Sequence, residues 1–502
     1  MIAMSDASAA MTLPRHHFPI DLSSGEFGGG LTIADDHVLR RLPAAPWNTV
    51  RPLIESMLAE GHLPDLIPWS EVASDGDWMQ LRHPRVRVIS YPHEWCAEML
   101  QEAALAHCRL LAAVAKGGMA LKDAHPWNVL FDGTRPVFID IGSIVPLAAL
   151  AELDYLKDVR TRSGPVLAGD VFKLMFLPYF LLPLAFHRVG LGQIARRMLW
   201  RYPLNGAERY PRVADYLREA GPRQWLRAID GVRHAAKASA RLRTLCTNLE
   251  RSGTLDVFAD GLAELVGELS PPRKGSAYSG YYAAKGEAQA LDRPETWNAK
   301  QLAVHAVLDR PEISTVLDIA CNTGWYSRLA ARLGKHVTAI DIDDACVADL
   351  CHSASAAGEA IVPLVADLTQ PTPDRQRNPC GGLLLIGSEC RLRADAVLAL
   401  GILHHLVLGA GIPLTDALQR LARPAIQSLL VEYVGLDDEL VMKEPEFFAA
   451  YSRNPRDFAG FTLQAVIDAL AAMGWQVGVA PSFPPTRSLL SCKRAAGGTH
   501  SA

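Results

Sequence analysis

Three things are scarce in this chain of 502 residues. The first is a surplus of positive charge: 50 Lys and Arg face 54 Asp and Glu, a formal net charge of -4. A polyanion partner calls for clustered cations, so no nucleic acid is expected. The second is paired cysteine. Nine cysteines are scattered along the chain, none at the spacing of a zinc knuckle. An odd count in a large chain argues against a disulfide framework and for reduced thiols in a cytoplasm. Cys346, Cys351 and His352 come nearest to a metal cluster, but they read as ordinary helix residues, and no metal is expected. The third is a long apolar run. The most apolar stretch, Phe176 to Phe186, is about half of the ~20 residues that span a bilayer, and Pro178 and Pro183 interrupt it. A buried helix or helix pair is expected there, with membrane contact at most peripheral. No basic flank precedes an apolar run at the N-terminus, so a signal peptide is not expected.

The length predicts two to four domains. Residues 1–16 are small and polar and are expected to be disordered, as is the tail 495–502. Glycines at 25 and 28–30 precede Leu31–Ile33 and Val38–Leu39, which suggests a hairpin. Val86–Ile89 has the composition of another strand. Trp95, Met99, Ala103, Ala106, Leu110 and Val114 recur at helical spacing over residues 94–116, and Gly117 and Gly118 stop the pattern. Residues 150–268 are mostly helical in pattern. The stretch 270–276, Ser-Pro-Pro-Arg-Lys-Gly-Ser, has linker composition and divides a domain over 17–269 from one over 277–494.

Beyond 276 strands and helices alternate. Strands are expected at 315–318, 336–341, 361–366, 396–400 and 426–433, with two more near 475–479 and 487–492. Such alternation predicts a parallel sheet with helices on both faces. The first strand runs into Val316-Leu-Asp-Ile-Ala-Cys-Asn-Thr-Gly324. Ligands of open α/β sheets sit at the carboxyl ends of strands, where small loop residues let the backbone approach them. Asn322 tolerates a left-handed backbone, and Gly324 adopts one freely. The second strand ends in Asp341, about twenty residues on, where a carboxylate accepts hydrogen bonds from both ribose hydroxyls of a nucleoside; Asp343 is the fallback. The third ends in Ala366-Asp367-Leu368.

Three acids at three successive strand ends resemble a class I methyltransferase. The resemblance implies a Rossmann-like, seven-stranded domain that binds S-adenosyl-L-methionine through Asp318, Ala320, Cys321, Asn322, Gly324, Asp341, Ile342, Asp367 and Leu368. The loop departs from the family's Asp-x-Gly-x-Gly-x-Gly by placing Ala320 and Asn322 at two glycine positions. After the fourth strand comes Leu403-His-His-Leu406. A histidine there serves as base in many small-molecule O-methyltransferases, because its pKa of about 6.5 lies near working pH. His404 and His405 are the candidates, His404 ahead, with packing as the other reading. Glu432, at the end of the fifth strand, either faces the acceptor or is structural.

The N-terminal half carries Asp123, Asn128 and Asp140 in Leu121-Lys-Asp-Ala-His-Pro-Trp-Asn128 and Phe138-Ile-Asp140. This resembles the loops of aminoglycoside-phosphotransferase-like kinases, where one carboxylate positions the hydroxyl while an amide and a second carboxylate hold metal on the phosphates. The usual His-Gly-Asp is Leu-Lys-Asp here, and the required strand lysine has no counterpart; Arg40 and Arg41 follow the Gly-rich segment. A mostly helical α+β, kinase-like domain that does not phosphorylate is therefore expected. Val88–Trp95, Gly118–Ala124, Phe180–Leu184, the Cys-Asn-Thr-Gly324 loop and Leu403–Val407 together resemble bacterial methyltransferases related to the nodulation host-specificity protein NoeA. That resemblance implies transfer of a methyl group to an oxygen or nitrogen of a small-molecule, glycan or lipid-linked acceptor. A bifunctional kinase–methyltransferase and a non-catalytic S-adenosylmethionine-binding protein are the alternatives.

Overall fold

Strands buried on both faces read as nearly continuous apolar runs, and the C-terminal half contains a set of them. The computed structural model describes residues 18–19, 30–34, 36–159, 161–200, 222–251, 253–272, 275–372, 391–443 and 448–494. The expected disordered ends, 1–16 and 495–502, lie outside the described residues, as do residues 273 and 274 of the expected linker.

The N-terminal half opens with five strands: β1 (Phe18–Pro19), β2 (Gly30–Ile33), β3 (His37–Pro43), β4 (Ser70–Asp75) and β5 (Trp78–Pro84). They form an antiparallel sheet in the order β1-β2-β3-β5-β4. The expected hairpin is β2 on β3, with Ile33 opposite Val38. The strand expected at Val86–Ile89 does not form. Its neighbour β3 begins at His37, which pairs with Pro84, so residues beyond Pro84 have no ladder to join. Two small antiparallel pairs follow, β6 (Met119–Leu121) with β9 (Ile144–Pro146) and, between them in sequence, the hairpin of β7 (Val129–Asp132) with β8 (Arg135–Phe138). The helix Ala97–Ala115 packs beneath them, its apolar stripe buried. Helical sequence runs unbroken from Gly164 to Arg188, 25 residues, longer than the short apolar run suggested. It is long and apolar enough to cross a membrane, but 61% of its most apolar window is buried inside the protein. Phe172, Phe176 and Phe180 stack along it into the core.

The C-terminal half contributes β10 (Thr315–Ile319), β11 (His336–Asp341), β12 (Ile361–Val365), β13 (Ala394–Ala399), β14 (Ala425–Tyr433), β15 (Trp475–Pro481) and β16 (Ser488–Arg494). The sheet order is β12-β11-β10-β13-β14-β16-β15. The first five strands are parallel, and β16 runs antiparallel to both of its neighbours. Strand order reverses between β10 and β13, which opens a crevice at their carboxyl ends.

The expected boundary at 270–276 lies between the helices Leu255–Glu268 and Tyr281–Ala284. One hydrophobic core nevertheless runs across it: Trp95, Met99 and Leu100 belong to the same buried cluster as Val347, Val362 and Leu364. Polar contacts stitch the same seam. Glu94 accepts from Thr372 Oγ1 at 2.8 Å and pairs with Arg391, which also donates to the Ile89 carbonyl at 2.7 Å.

Candidate functional site

The loop after β10 is shaped by three left-handed residues, Ala320 (φ 59°), Asn322 (φ 52°) and Gly324 (φ 79°). Asn and Gly adopt this conformation readily, whereas it costs alanine about 1–2 kcal/mol. Gly324 is required for a second reason. A Cβ there would lie 2.3 Å from Leu350 Cδ1, so only glycine lets the loop pass so close to the helix Asp344–Ala357. The loop is held from three sides. The Asn322 amide donates to Asp341 Oδ2 at 2.8 Å, Asn322 Nδ2 donates to the Tyr278 carbonyl at 3.0 Å, and Tyr282 OH donates to the Cys321 carbonyl at 3.2 Å.

Asp318 is buried near the end of β10 and accepts from Ser327 Oγ at 2.6 Å. Burial pushes its pKa up to about 7, against the Ser327 hydrogen bond and with help from the charge of Asp341. Asp341 spans the turn after β11, because its other oxygen accepts from the Asp343 amide at 2.9 Å. Burial raises its pKa too. Asp343 caps the next helix by accepting from the amides of Ala345 and Cys346. Between the two acids Ile342 stands 60% exposed, an apolar side chain on an otherwise polar turn. Asp367 follows β12 and accepts from the Thr369 amide at 2.8 Å, and the Leu368 carbonyl accepts from Arg420 at 2.6 Å.

These residues line one cavity of about 1210 Å³. Asp318, Ala320, Asn322, Asp341, Ile342, Asp367 and Leu368 border it, as do His404, His405 and Glu432. Cys321 and Gly324, the other two residues expected at the cofactor, belong to the loop but do not border the cavity. His404 is buried, and neither ring nitrogen has a hydrogen-bond partner among the described residues. Its ring lies against His405 and Phe448. Burial holds its pKa well below the usual histidine value, with His405 and Arg487 adding to the effect. The ring is therefore neutral near pH 7. His405 is shifted the same way, again mainly by burial.

Glu432 belongs to a buried charge network that the sequence did not reveal. Its Oε1 accepts from Ser482 Oγ at 2.7 Å and lies 3.3 Å from Lys300 Nζ, while Oε2 has no hydrogen-bond partner among the described residues. Lys300 pairs with Glu287 at 2.7 Å, Tyr326 OH donates to the same carboxylate at 3.0 Å, and Arg487 pairs with Asp438 at 3.1 Å. Burial alone would lower the Lys300 pKa, but Glu432 and Glu287 outweigh it and hold it above the ordinary value. Lys300 and Glu287 sit on sequence with no motif, and their proximity arises only when the chain folds. Tyr278 and Tyr282 of the preceding segment contact the loop and, with Tyr281, border the cavity.

The second candidate site is in the N-terminal half. Asp123, Asn128 and Asp140 lie on segments joined by hydrogen bonds, Asp123 N–H to Ser143 Oγ at 3.1 Å and Ile139 N–H to the Asn128 carbonyl at 2.8 Å. Arg40 sits on β3 and pairs with Asp140 at 2.6 Å, also donating to the Ile139 carbonyl at 3.1 Å. None of the three motif residues lines the large cavity.

No protein-family model matches the chain. Over 380 residues, 72% of this chain and 72% of the relative, it is 27% identical to nodulation protein NoeA of Rhizobium meliloti (strain 1021). The chain is a homologue of NoeA. Among solved structures it is similar to magnesium protoporphyrin IX methyltransferase from Synechocystis PCC 6803 with bound S-adenosylhomocysteine. That match is 17% identical, covers 39% of this chain and 83% of the other, and has a TM-score of 0.27. It is also similar to the bifunctional kinase-methyltransferase WbdD, 14% identical over 41% of this chain and 42% of that one, with a TM-score of 0.29.

Proposed function

We propose that this chain is an S-adenosylmethionine-dependent methyltransferase acting on an oxygen or nitrogen of a small-molecule, glycan or lipid-linked acceptor. The observation that carries the reading is the cavity at the carboxyl ends of β10, β11 and β12. There Asp318, Asp341 and Asp367 face one space beside a left-handed loop with no room for a side chain at Gly324. The strand order, with an antiparallel β16 inserted between β14 and β15, is the arrangement expected of a class I methyltransferase.

The residues fit the cofactor. Asp341 would take the ribose hydroxyls on lone pairs not used by the two amides, Ile342 would pack on the adenine, and Asp367 would face its amino group. When bound, S-adenosylmethionine supplies an electrophilic methyl group. His404, whose ring borders the cavity and has no partner for either nitrogen among the described residues, would take the proton that an acceptor hydroxyl or amine loses on methylation. Glu432 borders the cavity, and its buried Oε2 lies 3.9 Å from Arg487 Nη1, so its carboxylate would act on the acceptor through the electrostatics of the wall. The walls would hold the two reactants together, and positioning of that kind supplies much of the rate of such a transfer.

The N-terminal half reads as a kinase-like domain that does not phosphorylate. Arg40 occupies the Asp140 carboxylate that a phosphotransferase would use for metal. The test is calorimetric titration of the intact protein with S-adenosylhomocysteine, followed by a turnover assay for that product with glycan and lipid-linked acceptors. Binding and turnover are expected; absence of binding by either S-adenosyl ligand overturns the reading.

A further inference from the structure

The wall of the cavity facing Asp341 and Asp343 does not belong to the C-terminal half. It is formed by the helix Gly192–Trp200 and the turn before it, with Leu191, Gln193 and Ile194 lining the space and Gln224 beside them. The contact is built closely. Arg196 Nη1 lies 2.7 Å from Asp344 Oδ2, and His187 Nδ1 lies 3.6 Å from the same oxygen. A Cβ on Gly192 would come within 1.8 Å of that oxygen, so the carboxylate fills the place a side chain would need. Arg196 and His187 are largely buried, at 12% and 2% side-chain exposure.

Asp344 opens the helix that Asp343 caps, and Asp341 is tied to the Asp343 amide. The turn 341–344 is thus gripped from inside its own half by hydrogen bonds and from the other half by an ion pair. Ile342, the exposed apolar residue of that turn, borders the same space as the apolar side chains of Leu191 and Ile194. A flat aromatic ligand lying on Ile342 would have one face toward solvent in the C-terminal half alone. With the second wall present it loses water from both faces, and apolar burial scales with the area removed.

We propose that the cofactor site is composite: the helix Gly192–Trp200 closes its adenosine end, and Arg196 is a positioning residue that fixes the ribose-binding turn through Asp344. This rests on the reading of the cavity as an S-adenosylmethionine site. It makes the N-terminal half part of the cofactor site, coupled to it across 148 residues of sequence. By reciprocity, ligand binding stabilises the docking of the two halves.

The test uses the intact protein. Hydrogen exchange followed by mass spectrometry, with and without S-adenosylhomocysteine, should show slowed exchange at residues 190–197 as well as at 320–344. Calorimetry on Arg196→Met should show Kd raised roughly tenfold, equivalent to about 1.4 kcal/mol, for S-adenosylhomocysteine and equally for methylthioadenosine, which lacks the amino-acid end. Arg196→Lys should recover part of the loss. Binding with protection confined to the C-terminal half, or an unchanged Kd in Arg196→Met, overturns the composite site and leaves the cofactor reading standing. Failure of the wild-type protein to bind either ligand overturns both. The exchange measurement needs no variant, so it decides the matter even if Arg196→Met does not fold.

Discussion

The backbone amide of Asn322 donates to the carboxylate of Asp341 at 2.8 Å, which joins the loop after β10 to the end of β11. The residue expected to hold ribose therefore also braces the loop expected to hold the rest of the cofactor.

This double role separates two substitutions. Asp341→Ala removes both the brace and the ligand contact and should weaken S-adenosylhomocysteine binding by about 1.5–3 kcal/mol, the scale for hydrogen bonds to a charged group. Asp341→Asn keeps one acceptor oxygen and should lose less. Calorimetric affinities equal to wild type in both variants would move the ribose contact elsewhere.

His404 borders the cavity with two unpartnered nitrogens, whereas His405 is less buried. His404→Ala should lower kcat by about 10²–10⁴ while S-adenosylhomocysteine still binds. His405→Ala should have a smaller effect. Circular dichroism must show both variants folded, and unchanged turnover in His404→Ala would remove it from proton transfer.

Stability should fall as the medium is acidified from pH 6.5 toward pH 4. Burial lowers the pKa of His83, His93, His107 and His187 to about 4 and that of His125 to about 3. For a group whose folded pKa is depressed, the unfolded chain takes up protons first. Stability is thus full above the unfolded value and is lost as pH falls through the folded one, by about 1.4 kcal/mol per pH unit per group at most. Asp318 and Asp341 are raised and act in the opposite direction, whereas the lowered values of His404 and His405 add to the loss. Urea midpoints at pH 7, 6, 5 and 4.5 give the check; a flat or rising series would contradict the burial of these rings.

In the N-terminal half, Arg40 neutralises Asp140. Transfer of labelled γ-phosphate from ATP should be absent in the intact protein. Arg40→Ala should destabilise the fold by up to about 3 kcal/mol, the low end for a broken buried pair, because Asp140 keeps some exposure. Phosphate transfer that disappears in Asp140→Ala would establish the bifunctional enzyme instead.

Much of the β-sheet half was legible because its signals are local. The apolar runs of β10 to β14 and the acids that close the first three of them each depend on a few neighbouring residues. The left-handed turn at Asn322 and Gly324 followed from backbone sterics alone. Val86–Ile89 was misread for the complementary reason: it has strand composition, but a strand needs a partner, and β3 ends its pairing at Pro84.

By itself, then, the sequence determined the alternation of strands and helices, the shape of the loop before Gly324 and the order of Asp318, Asp341 and Asp367 along the chain. Only the tertiary structure decided which charges meet. Lys300 reaches Glu287 and Glu432, Arg40 reaches Asp140, and Arg196 reaches Asp344. A long cationic side chain carries no local mark of its partner. The choice is made by the packing of one core through both halves, since burying a charge is costly until an opposite one is brought beside it.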